Sequence, residues 1–369
     1  MFTITKATAL CFRIFEAADA IDLEKSRSLV KAVGTLSLTR AGSEYVQLSN
    51  APLSVEVGRA QLTLPGGDVS VEVGARIFDH GCISIGIRVP VPEKATLEAL
   101  IPWVDALYDS TSIDALAAQM LTTLKTQLAP AMENAHSWRR NEGYTVLSVT
   151  EIEGQPTAEA LLKDPTLARL LLGEVKEPQL SVAETREVLD HHFSYTENDL
   201  AIIEWNASFL YEPSGNTDII DLLEIANAQL LELRYYDDVL DRELTRMYDL
   251  IGQQRQGSLL HSPYKKLLRE LMQTLIELSE FIERIENALK IVGDVYLARV
   301  YESAVVQLRI KQWTEQVTRK HKLLQQTYGL LKGEVDTDRA LTLEIMVVVL
   351  ILLEMLIGVG QLIGGIRGG

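Results

Sequence analysis

The C-terminal stretch LTLEIMVVVLILLEMLIGVGQLIGGIRGG constrains the fold of this chain more than any other segment. Ile345–Ile366 spans 22 residues, and only Glu354 and Gln361 among them are polar. At about 1.5 Å of rise per residue, a helix of that length matches the ~30 Å apolar core of a bilayer. A helix without a polar face suits lipid or a deep core rather than a surface. The reading is one C-terminal transmembrane helix over 341–366, against the alternative of a buried helix in a large soluble protein. A carboxylate in mid-membrane costs about 2.5–3.5 kcal/mol, which the surrounding apolar residues offset. Gly360 and Gly364 form a small-xxx-small pair that lets helices approach closely. These features predict a homo-oligomeric bundle with Glu354 inside it.

Nothing at the start of the chain reads as a signal peptide, since Arg13 interrupts its short apolar stretch. Lys332 and Arg339 precede the span and only Arg367 follows it. The expectation is a single-pass protein with a lipid-bilayer partner and the bulk of the chain cytoplasmic.

Upstream of the span the pattern is helical. Over Asn216–Arg255 there is no proline, and Ile219, Leu222, Ala226, Leu233, Leu240 and Leu244 fall on one stripe. A second segment carries Leu271, Leu275, Leu278, Ile282, Ile285 and Leu289 at alternating steps of three and four, the seam of a coiled coil. Gly293 bends or turns the chain, and Asp294, Tyr296, Arg299 and Tyr301 make a candidate polar cluster. Gly333 and the acidic run Glu334–Asp338 read as a linker to the tail. Nine acids in Asn216–Arg255 oppose six bases in Arg309–Lys332, so these helices pair by charge within one chain or between chains.

The first 212 residues are of mixed type. Val46-Gln47-Leu48, Leu53-Val55-Val57, Leu62-Leu64, Val69-Val71-Val73 and Ile83-Ile85-Ile87 alternate at period two, with turn signals at Pro65-Gly66-Gly67 and Asp79-His80-Gly81. Helices are expected over 97–108 and 113–134, and strands over 144–152, 200–205 and 209–211. The organisation is an α+β head domain over 1–212, a long antiparallel or coiled-coil helical stalk over 216–333, and the tail.

The composition narrows function further. Lys plus Arg is 35 against 51 for Asp plus Glu, a net charge of −16, which argues against a nucleic-acid surface. Cys11 and Cys82 are too few for a disulfide scaffold or a zinc module. No phosphate-cradling loop, dinucleotide fingerprint, zinc-protease motif or nucleophile elbow occurs. Glu187 and His191 stand at i and i+4 beside His192, a metal-like spacing without a third ligand. No catalytic residue, metal or cofactor is assigned.

Three stretches resemble the "required for meiotic nuclear division" proteins, a domain of unknown function. They are 225–238 (IANAQLLELRYYDD), 291–301 (IVGDVYLARVY) and 343–354 (LEIMVVVLILLE). That resemblance implies a membrane-anchored, oligomeric protein without established catalytic residues. Two functions suit the whole. One is a non-enzymatic, membrane-anchored scaffold that self-assembles through stalk and tail, its head binding an unknown protein partner. The alternative is an oligomeric ion channel or transporter-like assembly with Glu354 in the bundle.

Overall fold

A computed structural model describes residues 2–35, 51–64, 67–138, 140–175, 180–253, 264–291 and 295–367. It divides into two units, Met1–Tyr235 with Arg284–Thr314, and Tyr236–Glu283 with Glu315–Gly369.

The first unit opens with the long strand β1 (Thr3–Glu16), the short β2 (Ala20–Ile21), helix α1 (Leu23–Arg27) and β3 (Ala32–Thr35). Three long strands follow: β4 (Leu53–Leu64), β5 (Gly67–Ile77) and β6 (Cys82–Pro90). After the short β7 (Ala95–Thr96) come helices α2 (Leu97–Tyr108) and α3 (Thr111–Leu128), then β8 (Met132–Glu133) and β9 (Asn141–Ile152). Helices α4 (Ala158–Leu162), α5 (Thr166–Leu172) and α6 (Val182–Asp190) lead into β10 (His192–Phe193), β11 (Leu200–Ile203) and β12 (Ala207–Tyr211). Four long helices close the chain: α7 (Asp218–Gln253), α8 (Tyr264–Ile291), α9 (Val295–Gln307) and α10 (Ile310–Arg367).

The main sheet runs β10-β11-β12-β9-β1-β6-β5-β4-β3, with β7 beside β1. All its pairings are antiparallel except β12 with β9, so the sheet is mixed. One face carries Ala9, Cys11, Val73, Ile77, Ile83, Ile85, Ile87, Leu147 and Phe209 and packs on α2, α3 and α5. Helices α2 and α3 begin at side-chain caps: Thr96 Oγ1 accepts from Ala99 N, and Ser110 Oγ from Ile113 N. Arg13 is buried on this face as well, and its Nε donates to Asp114 of α3 at 2.5 Å.

The runs Leu53-Val55 and Leu62-Leu64 belong to one strand, although their buried residues differ in parity. The register against β5 shifts between Glu56 and Gly58, where φ is +137°. A bulge at that glycine inserts one residue and returns the second run to the core face. The expected strand at Val46-Gln47-Leu48 lies outside the described residues.

The C-terminal reading requires correction. Among the described residues, no helix is long and apolar enough to cross a membrane. The transmembrane element of the fold and the tail-anchored, single-pass placement are therefore not supported. The acidic run after Gly333 is not a separate linker either, because α10 passes through it without interruption. No proline stands between Ile310 and Arg367, and a glycine inside a helix costs only about 1 kcal/mol.

Candidate functional site

The second face of the sheet carries several polar side chains, and the first part of α7, up to Tyr235, ion-pairs with it. Antiparallel register lines up three rows of side chains across β4, β5, β6, β1 and β9. The first row is Ser54, Arg76, Ser84, Ile14 and Glu142. In the second, Glu56 is followed by Gly74, Gly86, Phe12 and Tyr144. The third is Arg59, Glu72, Arg88, Leu10 and Val146.

Helix α7 answers these rows with buried acids. Asp221 and Glu224 stand at i and i+3, which puts them on one face. Both are buried, 6% and 3% exposed, and both ion-pair with Arg76. The Arg76 Nη1 to Glu224 Oε2 distance is 2.5 Å. Burial pushes the Glu224 and Asp221 carboxyls above their ordinary range, and Arg76 pulls each part of the way back. Burial opposes the charge on Arg76, but the two carboxylates overcome it and raise its pKa. Beside this triad lies a cavity of about 620 Å³, bordered by Gly74, Arg88, Phe12, Thr217, Asp221 and Glu224.

Further along α7 are two more polar contacts. Glu232 Oε2 lies 3.1 Å from His80 Nδ1. His136 Nε2 stands 3.3 Å from Asp19 and 4.0 Å from Glu16, and its ring stacks on Tyr235 at 5.2 Å. Glu16 Oε2 also accepts from Cys82 Sγ at 3.0 Å. Among the described residues, no group of His, Cys, Asp and Glu is placed to hold a metal ion. The Glu187/His191 spacing sits at the end of α6, where His191 is the C-cap.

Arg234 ion-pairs with Glu142 and lies between two indoles, 5.6 Å from Trp205 and 5.4 Å from Trp313. Arg309 covers Trp205 at 5.5 Å, so Arg309, Trp205, Arg234 and Trp313 form an alternating cation–π stack.

The residues singled out in the sequence are distributed elsewhere. Tyr296 and Tyr301 are buried on α9, and Tyr301 Oη donates to Gln229 of α7. Arg299 is exposed, and Asp294 lies outside the described residues. In the second unit Leu271, Leu275 and Leu278 are buried and Ile282 is half-buried, while the side chains of Ile285 and Leu289 are outside the described set. Within the same unit Lys320 bridges Asp237 at 2.7 Å and Asp241 at 2.6 Å, so helices of opposite charge meet within one chain. Glu354 is exposed, and the surroundings of Gly360 and Gly364 lie outside the described set. Sequence reasoning missed Arg76, Arg88, Asp221 and Glu224. The available signal was Asp221 and Glu224 falling between Ile220, Leu222 and Leu223 rather than on a separate polar face.

Residues 6–218 match the family model described as "Uncharacterized protein MJ0711, N-terminal domain". The chain belongs to this family. A relative, "Uncharacterized protein MJ0711" of Methanocaldococcus jannaschii, is 25% identical over 224 residues, which is 60% of this chain and 67% of that protein. No solved structure matches. These matches replace the resemblance to the meiotic nuclear division proteins, which neither supports. The three stretches behind that resemblance all begin after residue 218, outside the matched region. Their described residues are helical, and leucine-rich amphipathic patterns recur in helices by period alone.

Proposed function

We propose that this chain is a non-enzymatic interaction protein that self-assembles through its C-terminal helix while its α+β unit receives a ligand or partner. The observation that supports this reading is the exposed apolar surface on α10. Twelve large apolar side chains between Ile345 and Ile357 are each 48–70% exposed. They surround the helix, leaving only Glu354 as a polar position in that run.

Burying one such side chain fully stabilises by about 1.5–3 kcal/mol, so covering the exposed half of twelve is worth roughly 9–18 kcal/mol gross. Association costs an estimated ~4–15 kcal/mol in lost freedom. A groove on one globular partner covers one side of a helix. Several copies of the same helix cover all sides of one another, so the occupant is a second copy of this chain.

Light scattering on the full chain across a dilution series tests this. The expected result is a concentration-dependent oligomer, reduced to a monomer by Val348→Glu with Leu352→Glu. A full chain that stays monomeric at every concentration overturns the reading.

A further inference from the structure

The cavity under α7 has a floor with no side chains. Gly74 and Gly86 are direct partners across β5 and β6, on the side facing α7. A Cβ at Gly86 would stand 3.4 Å from Phe12 Cε1, and one at Gly74 would stand 3.8 Å from Arg88 Nη1. The Arg88 guanidinium therefore lies above the glycine floor. Among the described residues it makes no hydrogen bond and no ion pair, and it acts on Glu224 only through space. Its cross-strand neighbour Glu72 is engaged instead by Arg59 at 3.1 Å.

The opposite wall carries an excess of negative charge. Asp221 and Glu224 are both buried and share the single guanidinium of Arg76, each giving it one oxygen. With both acids ionised the triad has a net charge of −1. The cavity thus offers an uncommitted cation and a surplus carboxylate, with Leu10, Phe12 and Ile220 in its apolar lining. A simple anion meets Arg88 but is repelled by the acid pair. A simple cation suits the acids but leaves Arg88 without a partner. The volume of about 620 Å³ is in the range of small-molecule sites.

We propose that this cavity binds a small zwitterion of the α-amino-acid class. Its carboxylate lies on Arg88, its ammonium group on the Asp221/Glu224 wall, and its side chain against Phe12 and Ile220. The paired glycines admit its backbone-sized end close to the sheet.

The test is isothermal titration of the full chain with each of the protein L-α-amino acids in turn. The amino acid that binds most tightly is then compared with its des-amino carboxylic acid and its decarboxylated amine. Each half-molecule is expected to bind at least about tenfold more weakly than the zwitterion. Arg88→Gln, a substitution at an exposed position, is expected to weaken the zwitterion and the carboxylic acid but not the amine. Circular dichroism of that variant is expected to be unchanged, which separates lost binding from lost folding. The absence of heat with every amino acid overturns the proposal. So does a carboxylic acid that binds as tightly as its amino acid, which would make the cavity a plain anion site. Self-association through α10 is read independently by light scattering, so failure of either proposal leaves the other distinguishable.

Discussion

Arg76→Met removes the guanidinium paired with the two buried carboxylates Asp221 and Glu224 and keeps most of the apolar stem. Arg76 is 18% exposed at its side chain, Asp221 8% and Glu224 4%, so solvent replaces little of what is lost. Two ionic hydrogen bonds at about 1.5–3 kcal/mol each set the scale. Breaking a buried pair from one side costs ~3–5 kcal/mol, and that is the expected loss near neutral pH. The sign of its pH dependence follows from burial. Without Arg76, both acids have folded-state pKa values still further above the ordinary 3.8 and 4.5. The folded state then binds more protons than the unfolded state, so stability falls as pH rises through that window, by about 1.4 kcal/mol per group per pH unit. The variant should be close to wild type near pH 4 and fully penalised near pH 8. Urea unfolding at both pH values measures this, with Asp221→Asn and Glu224→Gln added to the Arg76→Met background as the rescue. A loss below about 1 kcal/mol near pH 8, or an equal loss at both pH values, refutes the buried-charge reasoning.

Two further substitutions probe other parts of the fold. Gly81→Ala should prevent folding of the first unit, because a Cβ there would lie 1.8 Å from the Ala18 carbonyl oxygen at φ +98°; well-dispersed amide resonances for the variant would refute this. Arg234→Lys keeps the charge but loses the planar fork that pairs with Glu142 and stacks between Trp205 and Trp313. A loss of about 1–3 kcal/mol is expected, accompanied by a shift in tryptophan fluorescence that a stack of no consequence would not produce.

The α+β character of the first 212 residues was legible because period-two alternation survives in β5 and β6. The bounds of α2, Leu97–Tyr108, also follow directly from its pattern. In β4 the alternation broke at Gly58, and one bulged strand read as two. The charged wall of the cavity was hidden for a different reason. Acids on a long helix ordinarily mark its solvated side, and Asp221, Glu224 and Glu232 lie instead against Arg76 and His80 some 145 or more positions earlier in the chain. Spacing along one helix carries no information about partners that distant. The tail reading rested on hydropathy alone, and among the described residues no helix is long and apolar enough to cross a membrane.

The division of the chain into units has a consequence for synthesis. The first unit takes in Met1–Tyr235 and then Arg284–Thr314, with another unit's residues made in between. When Tyr235 emerges from the ribosome, β1 through β12 are complete, yet Trp313, Arg309 and Tyr301 are still to be added. Gln229, Arg234 and Trp205 must therefore wait for their partners while the 65 to 77 residues that separate Tyr235 from Tyr301 and Trp313 are translated, a delay of seconds at about 5–20 residues per second. A fragment ended at Tyr235 would freeze the chain in that waiting state, with half of its cation–π stack missing.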